Sequence, residues 1–180
     1  RHRSVESILD ELEILKNEHG IGHIMWLDDD LFKDHSRAIS LFNGMVNRNL
    51  NITWDASNGV LAASCVDEVI SASAESGCIG LTIGVESGND EILRSALKPA
   101  TTEINLRAAE VLSKYEEIYS SAFIIIGFPN EPMHKIQDTI NACRNMNLDW
   151  YRIKILQPLP HTPIYYQMLE AGLITEGNDQ

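Results

Sequence analysis

Short apolar segments alternate with amphipathic ones along nearly the whole chain, and this alternation restricts the fold more than any other feature. Val5, Ile8, Leu9, Leu12 and Leu15 recur at helical spacing, and His19-Gly20 supplies a glycine to close that helix. A strand follows in "GHIMWL" and runs into Asp28, Asp29 and Asp30. A helix is predicted from about Asp34 to Arg48, with Ile39, Phe42 and Val46 facing inward. "ITWDASN" reads as the next strand, followed by a helix near Ser64 to Glu75 that stops at Ser76-Gly77. "IGLTIGV" is a third strand.

The stretch from Asn89 to Glu117 reads as a short helix, a break at Lys98-Pro99 and a longer helix. Thr101 or Thr102 is expected to cap the longer one, with Ile104, Ala108, Val111, Leu112 and Tyr115 buried. "SAFIIIGF" is a fourth strand, a helix spans about Pro132 to Met146, and "YRIKILQPL" is a fifth strand before a short helix around Ile164 to Glu170.

One helix, then strand and helix alternating five times, implies parallel strands joined by right-handed crossovers. With 180 residues and no internal repeat or linker-like stretch, a single domain is expected. Pattern alone does not separate a barrel from an open doubly wound sheet. Polar residues at nearly every strand end favour a barrel-like sheet, whose site is built by the loops after the strands.

Parallel strands gather their C-terminal ends on one rim. That rim is expected to hold Asp28–Asp30, then Asp55, Ser57 and Asn58, then Glu86 and Ser87. Gly127, Phe128, Pro129, Asn130 and Glu131 follow, with Gln157 and Pro158 last. Acids converging there need a cation to face, or water between them. The plainer reading is that they cap helices, as Asp34, Asp67 and Asp90 are expected to do. That reading explains Glu86 least well, because Ser87 or Asn89 suffices to start the next helix.

A net charge of −12 argues against nucleic acid or an anionic membrane surface as a partner. The longest apolar run, "AFIIIGF", is too short to span a bilayer, and no signal peptide is visible. Three irregularly spaced cysteines, Cys65, Cys78 and Cys143, fit the reducing cytoplasm better than a disulfide framework. No two stand at a metal-ligand spacing, and only Cys65 is placed near the rim. The histidines form no ligand pattern.

"MWLDDDLF", "IGVESGNDEIL", "FIIIGFPNE" and "LQPLPHTPIY" stand in order and in register. Together they resemble the radical S-adenosylmethionine (radical SAM) enzymes, most closely the branch often fused to a cobalamin-binding domain. The resemblance covers essentially the whole chain. It implies a partial (β/α)6 TIM-like barrel, of which this α/β sequence looks like everything after the first strand.

It also implies roles for residues. Asp29 and Asp30 match the second-strand exit that holds the amino group of SAM, with Phe32 after them. Glu86 matches the carboxylate near the ribose and methionyl part, with Ser87 beside it. Ile126, Gly127 and Glu131 match the stretch lining the adenine, and Pro158 lies in the last-strand motif. His161 replaces the glycine usual in that motif. SAM carries cations at its sulfonium and amino group and two ribose hydroxyls, which carboxylates bind by charge-assisted hydrogen bonds.

The family's Cys-x3-Cys-x2-Cys loop, which holds a 4Fe–4S cluster, is absent. Because the chain opens on Arg1 inside a helix pattern, that loop is expected upstream, in a longer parent. This chain alone is expected not to catalyse radical chemistry. The resemblance further implies a small-molecule substrate, a reductant such as flavodoxin or ferredoxin, and an appended cobalamin domain. With the first strand missing, Ile24, Met25 and Leu27 are expected on an unpaired edge. Two other readings remain: a barrel lyase or aldolase with a divalent metal on Asp28–Asp30 and Glu86, and a non-catalytic scaffold that kept the fold.

Overall fold

In a computed structural model, which describes residues 3–175, five strands form one sheet. They are β1 (His23–Met25), β2 (Thr53–Leu61), β3 (Cys78–Glu86), β4 (Tyr119–Ile126) and β5 (Trp150–Ile155). They are neighbours in chain order, and every pairing is parallel. The helices that return the chain are α1 (Val5–His19), α2 (His35–Asn47), α3 (Asp67–Glu75), α4 (Asp90–Ser95), α5 (Thr102–Leu112), α6 (Met133–Met146) and α7 (Pro163–Glu170). The parallel strands are those the alternation implied, and the partial barrel is the one the resemblance implied.

The helix ends follow local rules. Ser4, Asp34, Asn89, Thr101 and Thr162 each accept a backbone N–H at the start of α1, α2, α4, α5 and α7. Gly20 ends α1 in the left-handed region, at φ 66°. Asp67 and Asp90 depart from the capping expectation. Asp67 is already inside α3 and pairs with Lys114, and Asp90 accepts from the backbone and hydroxyl of Thr102, so it ties α4 to α5.

Strand side chains alternate between faces. Trp54, Ala56, Leu81, Ile83, Ala122 and Ile124 are buried under the helices and form the core. Trp54 stacks on Phe42 of α2 at 4.8 Å, Phe32 meets Phe42 edge-on at 6.1 Å, and the Trp54 indole donates to Ser76 Oγ. Each such side chain contributes about 1.5–3 kcal/mol by leaving water. The opposite, inner face is small and polar: Thr82 and Ser121 hydrogen-bond across β3 and β4 at 2.8 Å, with Gly80 and Gly84 on either side of Thr82.

Several expectations are corrected. Val46 faces solvent, and α2 buries Ala38, Leu41, Phe42 and Met45 instead. α5 buries a polar residue, Asn105, whose side-chain amide donates to Val85 O. β1 is an edge strand of three residues, with Met25 and Leu27 exposed as expected, whereas Ile24 packs partly against the core. β2 runs six residues past Asp55, so Asp55 sits low on the inner face instead of at the rim. It pairs there with His23 (3.0 Å) and accepts from Ser57 N. Burial opposes its charge, but the Ser57 and His23 hydrogen bonds outweigh that and lower its pKa.

Candidate functional site

The sheet delivers its C-terminal ends to one edge, and the exit of β3 is the most organised of them. A register shift between Gly84 and Glu86 breaks the ladder, and Glu86 takes φ 65°, the left-handed region unusual for a residue with a side chain. Its carboxylate meets Lys98 Nζ at 2.8 Å, with both side chains partly covered. Chain geometry makes that meeting possible. α4 lasts six residues and ends with Leu97 at φ 55°, Leu97 N–H donating to Arg94 O and Lys98 N–H to Leu93 O. That closure turns the chain back toward the strand exit twelve residues after Glu86.

The residues after Glu86 are held from behind. Ser87 is fully buried, and its hydroxyl hydrogen-bonds Thr139 of α6. Gly88 N–H donates to the same Thr139 oxygen at 2.9 Å, and Asn89 reaches Asp138 at 2.8 Å. A Cβ at Gly88 would lie 2.6 Å from both Ala142 Cβ and Thr139 Cα, so glycine is required for this approach. Ser87 is therefore a bracket between β3 and α6, and Glu86 alone of the pair presents a charged group at the edge.

At the β4 exit, Glu131 Oε2 accepts from Gly127 N (2.7 Å) and Phe128 N (3.1 Å), while its other oxygen is buried with no hydrogen-bond partner among the described residues. Glu131 precedes α6, and its work is to shape the loop at residues 127–128. Gly127 sits at φ 85°. The Ile126 side chain turns to the helix face, lining an apolar cavity of about 480 Å³ against α6, so only its backbone can serve the edge.

The acidic triplet after β1 divides. Asp28 and Asp29 are exposed. Asp30 is half-buried; its Oδ2 accepts from Ser64 Oγ at 2.7 Å and its Oδ1 from Phe32 N at 3.3 Å. No hydrogen bond or ion pair joins the triplet to Glu86 among the described residues. Pro158 follows β5, half-buried, and His161 holds φ 67°, the conformation its missing glycine would take, with its ring 3.3 Å from Tyr166 OH.

Cys65 is buried, its thiol directed at Leu61 O, and burial first and the Asp30 charge second push its pKa up, so its expected view of the site is absent. Burial raises Cys78 to about 12. Among the described residues, no three of His, Cys, Asp and Glu converge as metal ligands. They therefore do not fit a 4Fe–4S cluster, and the metal site on Asp28–Asp30 and Glu86 does not form.

Sequence reasoning missed Lys98, read only as a helix break, and Thr139 and Asn105. The length of the "DEILRSALK" stretch carries a signal for Lys98, since one short helix returns to its own start. Thr139 has none, because its partners lie on another element.

The chain is 30% identical over 178 residues to an uncharacterized methyltransferase from Pyrococcus horikoshii, spanning 99% of this chain and 38% of that protein. It is 23% identical to the anaerobic magnesium-protoporphyrin IX monomethyl ester cyclase of Rubrivivax gelatinosus, spanning 93% of this chain and 30% of that one. It thus spans 30–38% of the length of these relatives. Among solved structures, the radical S-adenosylmethionine methyltransferase TsrM from Kitasatospora setae, with cobalamin and a 4Fe–4S cluster bound, superposes with a TM-score of 0.80. Identity there is 18%, over 94% of this chain and 34% of that one. The family model of the Radical SAM superfamily matches residues 1–143. By that match and by its fold, this chain belongs to the radical SAM superfamily.

Proposed function

We propose that residues 1–180 form one radical SAM core domain that binds and orients SAM along the C-terminal edge of the sheet. The Glu86–Lys98 pair is the observation that carries this reading. SAM offers ribose hydroxyls, a sulfonium, an ammonium and a carboxylate. A carboxylate beside an ammonium complements that set: Glu86 accepts from the ribose, and Lys98 donates to the carboxylate of SAM. Exposed Asp29 is free to take the amino group, while Asp30 fixes the backbone of that exit through Ser64. Ser87 and Glu131 act as positioning residues, and the backbone at Ile126 and Gly127 would flank the adenine. Pro158 closes the edge after β5.

Within the superfamily, SAM supplies a 5′-deoxyadenosyl radical for hydrogen abstraction at a 4Fe–4S cluster. Among the described residues the three cysteines do not converge to hold such a cluster. The parent enzyme is read as acting on a small molecule in the cytoplasm, with flavodoxin or ferredoxin as electron donor. Methyltransferase relatives and the cobalamin-bound TsrM support a cobalamin domain in that parent. No helix among the described residues is long and apolar enough to cross a membrane.

Calorimetric titration with SAM tests the reading, with S-adenosylhomocysteine as the ligand lacking the sulfonium charge. Glu86→Gln and Lys98→Met are each expected to weaken SAM at least about tenfold, about 1.4 kcal/mol. Unchanged affinity in both variants, with the wild type binding, would sink the assignment.

A further inference from the structure

The two cations of β5 on the inner face stand out because neither is neutralised. Arg152 and Lys154 alternate with the outward-facing Tyr151 and Ile153 along β5. Both fold inward across β4: the Arg152 guanidinium lies 5.5 Å, and the Lys154 ammonium 5.9 Å, from the centre of the Phe123 ring. Neither has a hydrogen-bond or ion-pair partner among the described residues, in a chain with 26 acidic residues and a net charge of −12. An aromatic face holds a cation in place without cancelling its charge. Two fixed positive charges are thereby left free to bind something else.

Their surroundings are shaped for a ligand. Phe123 pairs in register with Gly84, and its ring edge lies 3.3 Å from where a Cβ would stand on Gly59. Gly59 on β2 thus leaves the room in which the ring forms a floor. Glu86 Oε1 lies 3.9 Å from the position of a Cβ on that same Gly84, so the Glu86–Lys98 pair and the Phe123 floor flank one glycine. Arg152 and Lys154 both lean over the sheet toward the proposed SAM pocket.

We propose that Arg152, Lys154 and Phe123 form an anion subsite for the substrate, which carries a phosphate or carboxylate group seated beside SAM. Arg152 supplies a planar fork for two oxygens, and Lys154 a point charge. The position beside SAM rests on the SAM reading; the anion subsite itself does not.

The test is a protein-observed NMR titration with inorganic phosphate and with acetate, against chloride at matched ionic strength. Saturable shifts centred on Phe123, Arg152 and Lys154 are expected, and the tighter probe identifies phosphate or carboxylate as the group. Arg152→Gln with Lys154→Gln is expected to weaken that probe at least tenfold and leave SAM affinity within twofold. Lys154→Arg is expected to retain binding, which separates charge from folding. Shifts no larger than with chloride, or unaltered by the double substitution, would overturn the subsite. Loss of SAM affinity in the double variant would overturn it too, because the cations would then serve the carboxylate of SAM. Phosphate or acetate binding in a protein that does not bind SAM would leave the subsite standing and remove the SAM reading.

Discussion

Two strand exits carry carboxylates, and they use them oppositely. After β1, Asp30 turns back into the protein, where Ser64 Oγ and two backbone N–H groups reach it. After β3, Glu86 meets no backbone donor among the described residues; its partner is Lys98, a long side chain on a short return. The first carboxylate is consumed by structure, whereas the second is held at positive φ and paired with a single cation. An acid at a strand exit is thus no sign of a ligand until its partners are known. Backbone donors that fix a loop make it architecture, and a lone ammonium leaves lone pairs for an incoming molecule.

The largest effect that would sharpen this contrast lies behind Glu86. Gly88→Ala is expected to cost about 3 kcal/mol, because Thr139 Cα and Asp138 O are backbone atoms that yield little. Urea unfolding would show it, and an unchanged midpoint would mean that β3 and α6 are not locked as described. Next comes the β1 exit. Asp30→Ala is expected to lose about 1–2 kcal/mol by leaving the buried Ser64 hydroxyl without its acceptor, while Asp29→Ala stays within about 0.5 kcal/mol. Equal losses at both positions would break the division of the triplet. Only a small stability change is expected at Glu86 itself. Glu86→Gly relieves a left-handed backbone and gives up a partly exposed ion pair, for a net change below about 1 kcal/mol. SAM binding should nevertheless fall, and a large loss of stability would place Glu86 with Asp30 as architecture.

The strand exits could be read in advance because they depend on the period of the sequence. "IGLTIGV" alternates into a turn, and that alone puts Glu86 at an edge. Asp55 shows where this reasoning stops. "ITWDASN" looked complete as a strand, but β2 carries on to Leu61 through a register shift against β3, which leaves the acid low on the sheet. Continuation through an irregular ladder depends on the neighbouring strand, and composition carries no trace of it. His161 shows the reverse: the expected glycine conformation survives its replacement, because the turn around it sets φ.

By itself, then, the sequence determined the parallel direction of five strands, their helical returns and the edge that gathers the polar residues. These follow from local periods of about two and 3.6 residues and from caps a few residues away. The tertiary structure decided which of those polar residues remain free. Asp30 meets Ser64 across 34 positions, Gly88 meets Thr139 across 51, and Arg152 and Lys154 meet Phe123 only because β5 lies beside β4. A carboxylate or an ammonium is the same letter whether satisfied or not, and its partner arrives from another element only when the chain has folded.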